Sequence, residues 1–189
     1  MECSGSNYIE ERSPEVFPFT DPERAYEMAT TFLDEDDTRK NNLQRMISWL
    51  YMLGLFDPES QTFNDCLRKI AGDYYTLVDE TKIVDEQLKT TIRQDISRSA
   101  PWFTNIIHQI TNSISLEEVS KSAVRALEVL AFHEPELSYI QGFDRYFFIS
   151  YYVGFMCADK REAIAYFIMR QLLKFSYFGR LLNASASED

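Results

Sequence analysis

Two side chains of this 189-residue chain, Arg98 and Gln141, are of the types that GTP hydrolysis uses. An arginine can neutralise charge on the transferring phosphoryl group, and a glutamine can orient the attacking water. The two residues lie 43 positions apart, each in a short motif: Arg98 ends I-x-x-D-x-x-R, and Gln141 is the third residue of Y-x-Q-G. The pair predicts a site that acts on a nucleoside triphosphate.

The motif around Arg98 has two interpretations. Asp95 lies three residues earlier, so on a helix it can pair with the guanidinium and orient it, while Ile92 falls on the packed side. We expect this helix to stop before Pro101, so that Arg98 projects beyond the helix body. The alternative is an ordinary solvated Asp–Arg helix pair, which contributes little and is more frequent than a functional pair.

The motif around Gln141 is predicted to be a short loop at the entry to the most apolar helix of the chain. The amide offers both a donor and an acceptor, and Gly142 lets a partner backbone approach closely. Tyr139 can wedge the loop. The alternative is that Gln141 caps the following helix and that Gly142 only serves the turn.

A nucleotide-binding loop of the form G-x-x-x-x-G-K-S/T does not occur in the sequence. We therefore expect the chain not to be a GTPase itself, and to act in trans on a nucleotide that another protein holds. It would have no cofactor of its own, and GTP and Mg²⁺ would be held by the partner GTPase.

Composition and charge narrow the classes of partner. The net charge of −11 disfavours nucleic acid and anionic lipid. The three cysteines (Cys3, Cys66 and Cys157) are odd in number and lack C-x-x-C spacing, which is typical of a reduced, cytosolic protein. Neither His108 nor His133 has another ligand at metal-binding spacing, so no metal site is predicted.

Direct membrane insertion is not expected. The N-terminus is polar, unlike a signal peptide, and the longest uncharged apolar run, residues 146–158, is too short to span a bilayer. A cytoplasmic location is predicted, which leaves open recruitment to endomembranes through a partner. The oligomeric state is not predicted.

Apolar periodicity predicts an all-α bundle of about seven to eight helices. Residues 1–20 are interpreted as a tail or arm, residues 21–182 as the helical domain and residues 183–189 as a flexible tail. Helix-start signals such as a capping box at Ser115 support the boundaries, and Trp49 and Trp102 are interpreted as core residues. The predicted helices cover about 21–33, 38–53, 58–77, 84–97, 102–110, 115–132, 143–157 and 159–178.

With these motifs, the chain resembles the TBC domain of Rab GTPase-activating proteins, specifically the N-terminal, catalytic subdomain. Three motifs in order carry the resemblance between about residues 45 and 175. They are Arg45-x-x-x-Trp49 followed by Leu53-Gly54, then Ile92, Asp95 and Arg98, then residues 134–142 ending in Y-x-Q-G.

The resemblance implies a role for each matching residue. Arg98 would be an arginine finger and Gln141 a glutamine finger that replaces the GTPase's own. The supporting residues would be Asp95, Tyr139, Gly142, Ile92, Arg45 and Trp49.

The function that the resemblance implies is acceleration of GTP hydrolysis by a Rab-family small GTPase in vesicle-traffic regulation. The alternative is a non-catalytic, TBC-like adaptor that binds a GTPase or another protein without stimulating hydrolysis. The sequence leaves open whether the chain is active as a GTPase activator.

Overall fold

The structure, a computed structural model, describes residues 38–82, 85–108, 114–137, 139–157 and 159–175. The predicted N-terminal arm, the predicted helix over residues 21–33 and the predicted C-terminal tail lie outside these ranges. The described residues form α-helices, two short 3₁₀ turns and the loops between them, which confirms the predicted all-α class.

Six α-helices are described, fewer than the seven to eight predicted. One predicted helix lies outside the described ranges, and two others form a single helix. The helices are α1 (Thr38–Met52), α2 (Phe63–Glu80), α3 (Glu86–His108), α4 (Leu116–His133), α5 (Phe143–Val153) and α6 (Arg161–Phe175), with 3₁₀ turns at Pro135–Leu137 and Gly154–Met156.

Local sequence signals set several of these boundaries. Ser115 accepts a hydrogen bond from the backbone N–H of Glu118 at 3.1 Å, as the capping box predicts for the start of α4. Gly54 has a φ of 68° just after α1, where a left-handed residue lets the chain turn away from the helix. In both places a single side chain, or its absence, decides where the helix begins or ends.

The expectation that a helix stops before Pro101 is wrong, because α3 continues through this residue to His108. A proline inside a helix loses one backbone hydrogen bond and costs about 3 kcal/mol. The buried face continues past it, however, with Ala100, Phe103 and Ile107 in the core, and the Phe103 ring stacks on Phe148 at 4.8 Å. Burial of these side chains offsets the proline, at roughly 1.5–3 kcal/mol for each large one. Arg98 therefore lies inside a helix and not at its end.

Helix α6 lies at the centre of the molecule and packs against α2, α4 and α5. Helix α3 packs against α4 and α5 at one side of this core. The fully buried side chains of α6 are Ala163, Ile164, Ala165, Tyr166, Ile168 and Met169. This arrangement places the start of α5 beside the middle of α3, so that the two motifs meet.

The tryptophans differ in environment. Trp49 is half-buried and packs against the core, but Trp102, predicted to be a core residue, is 61% exposed. Its neighbour Phe103 takes the core position, because successive residues of a helix point about 100° apart.

Within the described residues, none of the helices is long and apolar enough to cross a membrane.

Candidate functional site

The carboxylate of Asp95, buried in the middle of α3, joins the two motifs. Its Oδ2 accepts a hydrogen bond from the Tyr139 hydroxyl at 3.0 Å. Its Oδ1 accepts one from the Gln141 amide nitrogen at 3.4 Å and lies 3.6 Å from an Arg98 nitrogen. Burying a carboxylate costs free energy unless donors surround it, and here three donors from two parts of the chain do so.

Arg98 has an exposed side chain that forms one long ion pair. Its guanidinium lies within ion-pair distance of Asp95, while 64% of the side chain is accessible to solvent. Because the guanidinium is largely in solvent, water screens its attraction to the buried Asp95, and the pair adds little to stability. It does restrict the directions of the guanidinium, and an oriented guanidinium binds phosphate oxygens more specifically than a mobile one.

Gln141 occupies the turn just before α5 and points its side chain at α3. The residue that caps α5 is Gly142, with a φ of 110° and no side-chain cap. The amide of Gln141 bonds Asp95, on another helix. Gly142 therefore does serve the turn, as one interpretation of this motif holds. The Gln141 side chain, however, does not cap α5 and contacts Asp95 of the first motif.

Tyr139 packs beside the turn that precedes α5. Its ring meets Phe143 edge-on, with ring centroids 5.8 Å apart. Burial raises the pKa of the Tyr139 hydroxyl, and the hydrogen bond to Asp95 raises it further. The hydroxyl therefore keeps its proton and remains a donor to Asp95 throughout the neutral range.

A cleft of about 380 Å³ opens between α3 and the start of α5. It brings together two guanidinium groups, two carboxylates and one amide. Its lining consists of Asp95, Arg98, Ser99, Gln141, Gly142, Asp144 and Arg145. Among the described residues, no group of three or more His, Cys, Asp or Glu side chains could hold a metal ion. The cleft thus places the guanidinium of Arg98 and the amide of Gln141 beside each other, with a carboxylate for each of its two arginines.

Sequence reasoning missed Asp144 and Arg145. Asp144 is buried and Arg145 is exposed, and neither forms an ion pair with another described residue. The available signal was proximity in the sequence, since Arg145 lies in the first turn of the helix that follows Gln141.

Three other predicted supporting residues, Ile92, Arg45 and Trp49, do not line this cleft. Ile92 is fully buried on the core side of α3. Arg45 and Trp49, both on α1, line a separate groove of about 190 Å³ between α1 and α5, where an Arg45 nitrogen donates to Asn42 at 3.4 Å. The structure thus brings Asp95, Arg98, Tyr139 and Gln141 together, and it does not bring Arg45 or Trp49 to them.

The fold and the cleft define an all-α protein that presents an arginine and a glutamine side by side on one carboxylate. A family model, the Rab-GTPase-TBC domain, matches residues 42–186, and every residue of the cleft lies within the match. No curated protein and no solved structure gives a significant match. The chain belongs to the Rab-GTPase-TBC domain family.

Proposed function

We propose that the chain is a GTPase-activating protein for a Rab-family small GTPase, and that Arg98 and Gln141 act in trans on the partner's GTP. The observation that supports this most directly is the shared contact with Asp95, which holds a cation and an amide beside each other at one cleft. The partner would hold GTP and Mg²⁺.

The proposed role of Arg98 is electrostatic. Charge spreads over the equatorial oxygens of the γ-phosphoryl group in the transition state, and a guanidinium beside them stabilises it. The exposed side chain can extend from α3 toward a docked nucleotide while Asp95 restricts its direction. Orientation before docking lowers the entropic cost of placing the charge.

The proposed role of Gln141 depends on which end of its amide is engaged. Its NH₂ group donates to Asp95, so its carbonyl oxygen remains as an acceptor. A carbonyl oxygen can accept a hydrogen bond from the attacking water and align it with the phosphorus. Gly142, with its left-handed backbone, keeps the turn compact enough for a partner to approach.

With this activity the chain would act in the cytoplasm in the regulation of vesicle traffic, and binding to the GTPase would recruit it to endomembranes.

The test is GTP hydrolysis by a panel of purified, GTP-loaded Rab GTPases, with and without the chain. Stimulation of at least one member is expected. Arg98→Ala should lower that stimulation by about 10³-fold, the low end for an arginine finger, and Gln141→Ala should remove a large part of it.

Arg93→Ala is the matched control, because Arg93 is an exposed arginine on α3 that lines the groove facing α4 and not the cleft. It should leave the stimulation unchanged. No stimulation of any member, or full stimulation by Arg98→Ala, would contradict the proposal. Binding of a GTPase without stimulation would instead favour the non-catalytic adaptor.

A further inference from the structure

Helix α3 carries an exposed stripe that begins at the cleft. Arg98, Trp102 and Ile106 follow each other at intervals of four residues, so they lie on one side of the helix. All three are exposed, and Trp102 is 61% accessible. A tryptophan is rarely this exposed on a surface that contacts only water, because leaving its large apolar area in water is unfavourable.

Helix α5 carries a second stripe of the same composition. Arg145, which lines the cleft, is followed by Ile149 and Tyr152 at spacings of four and three. Ile149 is 54% exposed and Tyr152 is 39% exposed.

The two stripes leave the cleft in the same direction. Arg98 and Arg145 both line it, and a few residues further along each helix Phe103 stacks on Phe148 at 4.8 Å. The helices therefore run side by side from the cleft. We call the exposed residues beyond the cleft and at its rim the docking face: Trp102, Ile106, Arg145, Ile149 and Tyr152.

We propose that the docking face is the surface on which the GTP-loaded GTPase binds, with Trp102 as its main anchor; this rests on the proposed function. Trp102 lies one turn from Arg98, about 6 Å along the helix axis. A stable interface buries about 800 Å² on each partner, a patch about 30 Å across. A footprint of this size that is centred near Arg98 therefore covers Trp102 as well.

Charge favours this occupant over a second copy of the chain or a membrane. The chain carries a net charge of −11, so two copies repel each other, and anionic lipid is repelled in the same way. Arg145 has no ion pair among the described residues and stands in the first turn of α5, where a cation opposes the helix dipole. The complementary partner surface is apolar, with an acidic side chain facing Arg145.

The test separates docking from chemistry by measuring kcat and KM for a GTPase that the wild-type chain stimulates. Trp102→Ala should raise KM about tenfold, since loss of an interface anchor typically costs a factor of ten or more, and should leave kcat within about twofold. Ile149→Ala should raise KM by a smaller factor. Arg98→Ala, in contrast, should lower kcat.

Tyr75→Ala is the control, because Tyr75 is an exposed aromatic residue on α2, outside the docking face. It should leave KM unchanged. Thermal melting of each variant shows that it is folded, and sedimentation of the chain alone reports self-association.

Three results would overturn the inference. The first is an unchanged KM in both Trp102→Ala and Ile149→Ala, and the second is an equal rise in Tyr75→Ala. The third is a dimer of the wild-type chain that Trp102→Ala dissociates. Stimulation of no GTPase by the wild-type chain is a different result, because it removes the proposed function together with the inference.

Discussion

The hydroxyl of Tyr139 donates a hydrogen bond to Oδ2 of Asp95 at 3.0 Å, joining residues 44 positions apart in the chain. This bond attaches the turn before α5 to the middle of α3. The other oxygen of the same carboxylate contacts Gln141 and Arg98. The position of the two proposed catalytic residues therefore depends on one buried acid.

Asp95→Asn should lower the stimulated rate of GTP hydrolysis by about ten- to a hundredfold. Tyr139 and Gln141 donate to different oxygens of Asp95, and the substitution replaces one of these oxygens by an NH₂ donor. The amide also carries no charge for Arg98. Loss of a hydrogen bond to a charged group costs about 1.5–3 kcal/mol, and each 1.36 kcal/mol is a factor of ten in rate. Asp65→Asn, which removes an exposed acid of α2, is the control. A wild-type kcat in Asp95→Asn would show that the acid does not position the site.

Gly142→Ala should destabilise the protein by about 1–3 kcal/mol and reduce the stimulated rate. No atom would block the added methyl group, but a φ of 110° strains any residue with a Cβ. Gly72→Ala is a matched control, because Gly72 is inside α2 with open space around it. That change should stabilise the protein by about 0.5–1 kcal/mol. Urea denaturation measures both, and equal effects at the two glycines would contradict the backbone argument.

Tyr74→Phe should make stability less sensitive to alkaline pH. The buried Tyr74 hydroxyl donates to Glu162 at 2.5 Å, and Arg125 binds both oxygens of the same carboxylate at 2.6 and 2.7 Å. Burial raises the pKa of Tyr74, and the charge of Glu162 raises it further.

Because this pKa is higher in the folded state, the stabilisation from Tyr74 is complete below the unfolded pKa of about 10 and is lost as pH rises above it. Between about pH 10 and 11.5 the wild-type free energy of unfolding should fall more steeply than that of Tyr74→Phe, by a difference that approaches about 1.4 kcal/mol per pH unit at the upper end. Tyr75→Phe, which changes an exposed neighbour, should keep the wild-type slope. Identical slopes in wild type and Tyr74→Phe would contradict the buried contact.

Pro101→Ala should stabilise the protein by about 1 kcal/mol or more. Alanine restores an N–H that can donate to the carbonyl of Ser97, four residues earlier in α3, and removes the clash of the proline ring. Pro58→Ala, in the exposed turn before α2, should instead lose a little stability, because a proline restricts the unfolded chain. The free energy of unfolding in urea distinguishes the two. A loss of stability in Pro101→Ala would mean that α3 is not continuous through this residue.

Local signals predicted most of the helices, and they failed where packing outweighed them. The capping box at Ser115 and the turn at Gly54 agree with the local sequence, because each depends on a few neighbouring residues. The helix end expected before Pro101 was wrong, because the stacking of Phe103 on Phe148 involves a helix 45 positions further along the chain. Trp102 was misplaced for the same reason.

The sequence by itself determined the all-α class, the family and the identity of the two residues proposed to act on GTP. Residue types and motif order are sufficient for these conclusions. Only the tertiary structure decided that Arg98 lies within a continuous helix, that Asp95 holds Arg98 and Gln141 together, and that Trp102 faces solvent. Each of these depends on how α3 packs against α5, and contacts between residues more than forty positions apart leave no periodicity in the local sequence.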